Sequence, residues 1–399
     1  MFAVLPTLRK MIAPLARPRH AAAALPFFAL AACDPGTMPG PIGGTSAPSA
    51  PDGEVQVALL VPDGSGDQSD SVLASSLENA ARLAIADLSG VEVDLRVYET
   101  AGQSSRAADA ARRAVDEGAD VILGPTFSSS ARAVRSAVGD SGVTVLSFSN
   151  NAEAAGGNVF VLGPTFTNTA DRLADYAASE GKGRLMIVHE RNDSGEQGRR
   201  AIERAASRSG ASIAAVESFS FSQEGVVDAL PRISSAARDG GVDSIFFTAD
   251  TAGALPLLAE LLPENRVTSD DFQFIGLTRW DIPSSTLELS GVQGGWFALP
   301  DPGMTQRFEA RYRDRHGEDP HNIAGLAYDG IAAIGALVER GESLSPDAFS
   351  VSSGFSGVTG PFRLLRDGTN QRALAIAEIR DQEVNVIDSA PRRFTDPGL

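Results

Sequence analysis

Residues 121–151, VILGPTFSSSARAVRSAVGDSGVTVLSFSNN, leave the chain few folds to choose from. An apolar run, Val121-Ile122-Leu123, stops at Gly124-Pro125 and opens into Thr126-Phe127-Ser128-Ser129-Ser130. Helix-compatible residues follow. A second apolar run, Val143 to Leu146, then ends in Ser147-Phe148-Ser149-Asn150-Asn151. Strand, loop, helix, strand, loop is the pattern of parallel strands joined by a crossover, whose carboxyl ends carry ligands in open α/β sheets. The first loop also runs into a helix N-terminus, where unpaired N–H groups suit a carboxylate or phosphate. Serines at such a place also cap helices. Two hydroxyl- and amide-rich loops side by side point instead to a binding cleft, with Ser128, Ser129, Ser147, Ser149, Asn150 and Asn151 as its candidates.

The same alternation extends along the chain. Residues 55–61 (VQVALLV) read as a strand broken by Pro62-Asp63-Gly64-Ser65-Gly66, and Leu73, Leu77, Ala80, Ala81, Ala84 and Leu88 mark the helix after it. A half-exposed strand at 91–98, a helix through Ala107–Val115, the central stretch and a strand at 159–162 complete a first unit. After Gly163-Pro164-Thr165 the alternation restarts, with strands at 184–189, 216–221, 244–248 and 272–277. The strand at 294–299 and the helical region 305–340 read as the first unit resumed. Near the end, Asp367-Gly368 between strand patterns signals a hairpin, so the chain closes on a small β meander. At 399 residues the chain is long enough for two domains. Two α/β lobes sharing an interrupted chain imply a hinge with a cleft between them. Arg279-Trp280-Asp281, close to that hinge, makes Trp280 either a cleft residue or a structural anchor.

The first 32 residues read as an address. Arg9, Lys10, Arg17 and Arg19 precede an apolar stretch too short to span a bilayer, followed by Leu30-Ala31-Ala32-Cys33. Met11 to Cys33 alone makes a complete signal, so Met1 and Met11 are both candidate starts. Leu-Ala-Ala-Cys resembles the bacterial lipobox, which makes Cys33, the single cysteine, the lipidation site and the membrane anchor. Residues 34–53, rich in Pro, Gly and Ser, read as a tether. Loss of 1–32 removes four positive charges and no acid, taking the net charge from −17 to −21 (−17 − 4). So acidic a surface argues against nucleic acid and anionic headgroups. No histidine spacing fits a metal, no phosphate-cradling or nucleophile-elbow motif occurs, and the carboxylates are scattered. The expectation is a binding protein without cofactor or catalytic group.

Gly118-Ala119-Asp120-Val121-Ile122-Leu123-Gly124-Pro125, the loop 146–151, Ile323 to Asp329 and Gly357 to Phe362 resemble the leucine/isoleucine/valine-binding, or type I, periplasmic binding proteins. The resemblance implies two Rossmann-like lobes with parallel sheets and a hinge crossed three times, near Gly163, Pro283 and Phe355. Residues 54–163 and 284–354 would then form one lobe, and 164–283 and 355–399 the other. It also places Ser128 on the ligand carboxylate and 149–151 beside it. The family's tyrosine falls on Ser194, and its acid falls near Gly253, with Asp250 the nearest substitute. Within this fold, 146–151 and 157–163 are similar to the penicillin-binding protein activator lipoproteins. That likeness implies a regulator of peptidoglycan synthesis on the periplasmic face of a Gram-negative membrane, partnered by a penicillin-binding protein. The alternative is the receptor of an ABC importer, partnered by a permease and taking a small polar ligand such as an amino acid.

Overall fold

The computed structural model describes residues 53–394. The address segment, Cys33 and the tether lie outside the described residues. Among those described, no helix is long and apolar enough to cross a membrane.

The first sheet is built from β1 (Val55–Val61), α1 (Gln68–Asp87), β2 (Val93–Glu99), α2 (Ser104–Asp116), β3 (Val121–Leu123), α3 (Ser128–Val138), β4 (Thr144–Ser147) and β5 (Val159–Val161). Its strands are all parallel, in the order β2-β1-β3-β4-β5. Helices cover both faces, so β1, β3 and β4 can be apolar without alternation, and nearly every residue in them is buried. Edge strand β2 is less buried: Leu95 packs into the core on one face and Tyr98 into the core on the other, while Arg96 and Val97 stay exposed.

The second sheet begins with α4 (Phe166–Ser179), β6 (Arg184–Glu190), α5 (Asp193–Ser209), β7 (Ser212–Phe219), α6 (Gln223–Asp239), β8 (Ser244–Phe247), α7 (Leu255–Glu264), β9 (Gln273–Gly276) and β10 (Trp296–Leu299). The chain continues through α8 (Pro302–His316), α9 (Gly325–Glu339), α10 (Pro346–Phe349), β11 (Phe355–Gly357), β12 (Gly360–Leu364), β13 (Asn370–Arg372), β14 (Ala375–Arg380) and β15 (Glu383–Asp388). The larger sheet runs β15-β14-β10-β9-β8-β6-β7. Read from its β7 edge, the parallel part repeats the winding of the first sheet: second strand, first, third, fourth, fifth.

Two expectations about the crossings need correction. The strand at 294–299 does not resume the first lobe. It is β10, parallel to β9 through Trp296↔Ile275 and antiparallel to β14 through Leu299↔Ala375, in the middle of the second sheet. The chain returns to the first core only with α8 and α9, whose Phe308, Tyr312, Ile331 and Ile334 pack with Leu59, Leu77 and Leu123. Nor does 355 open the last return: Phe355, Phe362 and Leu364 also join the first core, and β11-β12-β13 form a separate small sheet. The crossings therefore fall near Gly163, Pro300 and Ala373. WFAL is an apolar run that either sheet could bury, so its own residues did not say which. The expected meander is split in the same way. The turn at Asp367-Gly368 joins β12 to β13, whereas β14 and β15 extend the larger sheet.

Local chemistry fixes the element ends. Thr165 and Asn168 form a reciprocal capping box at the start of α4. Asn192, Ser222 and Asp301 cap α5, α6 and α8 by accepting from Gly195, Gly225 and Met304 amides. Where the chain crosses, Arg372 is buried with Asp329 at 3.0 Å and donates to the Leu162 carbonyl, which joins the first crossing to the third. Asn370 donates to the carbonyls of Val161 and Gly163, and Asn168 to that of Asn370.

Candidate functional site

In a doubly wound sheet the crevice opens where the winding reverses, because the two loops there leave the sheet toward opposite faces. The first sheet reverses between β1 and β3, and the second between β6 and β8. The loops after these strands, with those after their neighbours β4 and β7, therefore define the candidate site in two halves.

The first half carries the predicted serine loop. Gly124 has φ +100°, and a Cβ there would sit 2.4 Å from the Leu60 carbonyl, so only glycine lets β3 turn beside β1. Ser128 and Ser129 fall in the first turn of α3, Ser128 half-buried and Ser129 exposed. The residue before them is Phe127, and no side chain caps this helix. Its first amides stay available, as a site for an anion requires. Phe127 itself is 39% exposed. Two further hydroxyls nearby, those of Thr126 and Ser130, are buried without a partner.

The second loop divides into structural and available groups. Ser147 is fully buried, and its hydroxyl donates to the Pro125 carbonyl at 2.8 Å while accepting from the Ser149 amide. It ties the two loops together: its proton is spent on Pro125 and the side chain is closed to the cleft, so the expectation of a ligand contact at Ser147 is corrected to a structural one. Ser149 accepts from the Asn151 amide, keeping its own proton to donate, and Asn151 caps a short turn through the Glu153 amide. Asn150 is exposed.

The second half holds the acids. Asp250, after β8, is exposed, and Ser194 is exposed in the first turn of α5. The residue that sequence reasoning missed is Glu190. It ends β6 at the reversal and is only 8% exposed. A charged residue closing the buried run LMIVH was the available signal. Burial pushes its carboxyl above the ordinary range and the neighbouring Asp250 carboxylate adds to this, opposed by the Asn192 amide and the Ala254 N–H. Asn192 donates to Glu190 Oε2 at 2.8 Å. Glycine keeps the floor open here too: a Cβ on Gly253 would lie 2.8 Å from Asp250 Oδ1, 3.3 Å from Glu190 Oε1 and 3.4 Å from the Phe221 ring. Two carboxylates and an aromatic ring that is 62% exposed thus converge on one point.

Trp280 belongs to neither half. It is fully buried in the second core against Phe247, and its ring fills the space beside Gly276 and Gly295. The anchor reading is the correct one. Among the described residues no three His, Cys, Asp or Glu side chains group as a metal site.

Comparison with known proteins fits this geometry. The family model described as periplasmic binding protein matches residues 54–383, nearly the whole described chain. The chain belongs to that family. A comparison with curated proteins finds no match. Among solved structures, a putative branched-chain amino acid ABC transporter protein from Rhodospirillum rubrum is similar at 19% identity and TM-score 0.71, covering 84% of this chain and all of its own. The leucine-binding protein LivK of Thermotoga maritima follows at 18% and 0.58, covering 84% of this chain and 98% of its own. A solute-binding protein of Rhodopseudomonas palustris in complex with 3,4-dihydroxybenzoic acid matches at 18% and 0.61, over 86% and 99%. At such identities the likeness is one of fold, the two-lobed α/β fold expected from the sequence. In this periplasmic binding protein the site chemistry must be read from its own side chains.

Proposed function

We propose that the chain is the periplasmic solute receptor of an ABC importer, a non-catalytic protein that closes its two lobes on a small polar ligand. The observation that carries this reading is the chemical asymmetry of the two halves at the winding reversals. One offers hydroxyls and uncapped helix amides for an anionic group; the other offers Glu190 and Asp250 for a cationic one. An α-amino acid has both groups. Phe127 and Phe221, one beside each half, suit an apolar side chain between them. The family and the neighbouring folds support receptor work, and solved structures of this fold hold leucine in one case and 3,4-dihydroxybenzoic acid in another. Closure follows if the ligand binds the closed arrangement better than the open one. Lipid anchoring through Cys33, with no cofactor or metal, completes the proposal.

The activator-like reading is the weaker one. Of the two segments that resemble activators, 146–151 is the cleft loop described above, and 157–163 is largely core: Val159, Phe160 and Val161 are buried, and Asn158 donates to the carbonyls of Val138 and Val143. Residues 158–163 are accounted for by the fold, so the likeness there does not call for a partner surface.

The test is a thermal-shift screen of amino acids and small aromatic acids. At 100 times its dissociation constant a ligand adds about 2.7 kcal/mol of stability. Ser128→Ala with Ser149→Ala abolishes the shift while leaving the unliganded melting temperature in place. An unchanged shift in the double variant puts the site elsewhere.

A further inference from the structure

The rim of the first half carries a carboxylate that the fold does not use. Three acids follow β1: Asp63, Asp67 and Asp70. Asp63 accepts from the Gly64 amide at 2.9 Å and from the Ser71 hydroxyl at 2.7 Å, so it is spent on its own loop. Asp67 accepts from the Ser69 amide and hydroxyl, both at 2.8 Å, and so caps α1. Asp70, in the first turn of that helix, is half-buried. Among the described residues it accepts no hydrogen bond and forms no salt bridge.

A close approach in the loop after β2 shows where this carboxylate lies. A Cβ on Gly102 would sit 3.6 Å from Asp70 Oδ2 and 3.1 Å from Phe127 Cε2, so the carboxylate and the ring bracket one small space. Phe127 immediately precedes Ser128 and the uncapped start of α3, and it is exposed. The loops after β1, β2, β3 and β4 hold no Lys or Arg to serve as a counter-charge. Arg106, the next cation along the chain, lies beyond them in α2 and forms no ion pair with Asp70. An acid in a first helical turn also interacts favourably with the helix dipole. That role asks only for a charge near the amides, and it does not account for burial beside an aromatic ring at the mouth of the site.

We propose that Asp70 selects the ligand's side chain, and that the site takes an α-amino acid with a cationic side chain, of the lysine, ornithine or arginine kind. The inference rests on the receptor reading above and adds the substrate class to it. The α-carboxylate lies on Ser128 and the first amides of α3, and the α-ammonium on Glu190 and Asp250. The aliphatic stem packs against the aromatic rings while the charged head meets Asp70, the division of labour that long basic side chains make on protein surfaces. Lobe closure supplies the selectivity. As water leaves the cleft, an unpaired Asp70 carboxylate loses hydration that nothing in the protein replaces, and a neutral side chain bears that cost. A cationic head removes it by pairing.

Titration calorimetry on the purified protein compares arginine with citrulline and lysine with norleucine, pairs of similar length that differ in side-chain charge. At least one basic member binds about tenfold or more tightly than its neutral counterpart. Asp70→Asn removes that preference, and Asp70→Glu, which keeps the charge, retains most of it. A helix-dipole role alone would lower the melting temperature of Asp70→Asn and leave the ratio of the two affinities where it was. The inference is overturned if the neutral members bind as well as the basic ones, or if the preference survives Asp70→Asn. Binding of the neutral members alone overturns the side-chain assignment and leaves the receptor reading standing. If neither these four nor any amino acid of the thermal-shift screen binds, both fall.

Discussion

Replacing Asp329 tests the hinge most severely. This carboxylate is completely buried, and Arg372 opposite it is nearly so, with 3% of its side chain exposed. Asp329 accepts from the Val358 amide at 2.7 Å, from Thr359 through its hydroxyl and amide, and from Arg372 Nη1 at 3.0 Å. Burial works against the charged form of Arg372, and Asp329 is what offsets it. Asp329→Ala therefore leaves a guanidinium in the core without its counter-charge and the Val358 N–H without an acceptor. Breaking a buried pair from one side costs about 3–5 kcal/mol, and an orphaned amide adds about 1–3 kcal/mol. A loss of about 4–8 kcal/mol follows, a large share of a typical domain's stability of about 5–15 kcal/mol. Adding Arg372→Met removes the stranded charge, so the double variant is more stable than the sum of the two single losses by at least about 1 kcal/mol. Urea unfolding followed by circular dichroism measures all four corners of the cycle. A loss below about 1 kcal/mol in Asp329→Ala, or strict additivity in the double variant, would refute the reasoning.

Three further outcomes follow from the same geometry. Glu190→Gln weakens the amino-acid ligand by about tenfold or more, since a charge-assisted contact becomes neutral. In the native protein ligand affinity rises with pH through the elevated Glu190 titration, because a cation competes with the proton; titration calorimetry across acidic pH shows this slope, and the Gln variant lacks it. Trp280→Ala costs about 3–5 kcal/mol as a core truncation, read by urea unfolding. Gly124→Ala combines a positive φ with a Cβ 2.4 Å from the Leu60 carbonyl. It destabilises by about 1–3 kcal/mol and shifts the Ser128 loop, which a loss of both melting temperature and ligand affinity reveals.

What the sequence made legible follows from what local patterns can encode. β1, β3 and β4 are largely apolar without alternation because helices cover both faces, and that composition, with the serine loops after β3 and β4, declared the fold and one half of the site. The strand 296–299 carries the same kind of pattern, yet its sheet is decided by neighbours far away in sequence, so the second crossing was misplaced. Ser147 read as a ligand contact because its type suits one; only the 2.8 Å bond to Pro125 shows that its hydroxyl is spent. Glu190 was passed over because a charged residue closing a strand also reads as a solvated end, and nothing local tells that Asp250 lies beside it after the neighbouring strand β8.

The most direct measurement is a crystal structure of the protein with the strongest amino-acid hit from the thermal screen. The account predicts one molecule between the lobes, its carboxylate on Ser128 and the first amides of α3, and its ammonium on Glu190 and Asp250. A ligand bound away from these groups, or one whose amine faces Ser128, would contradict it.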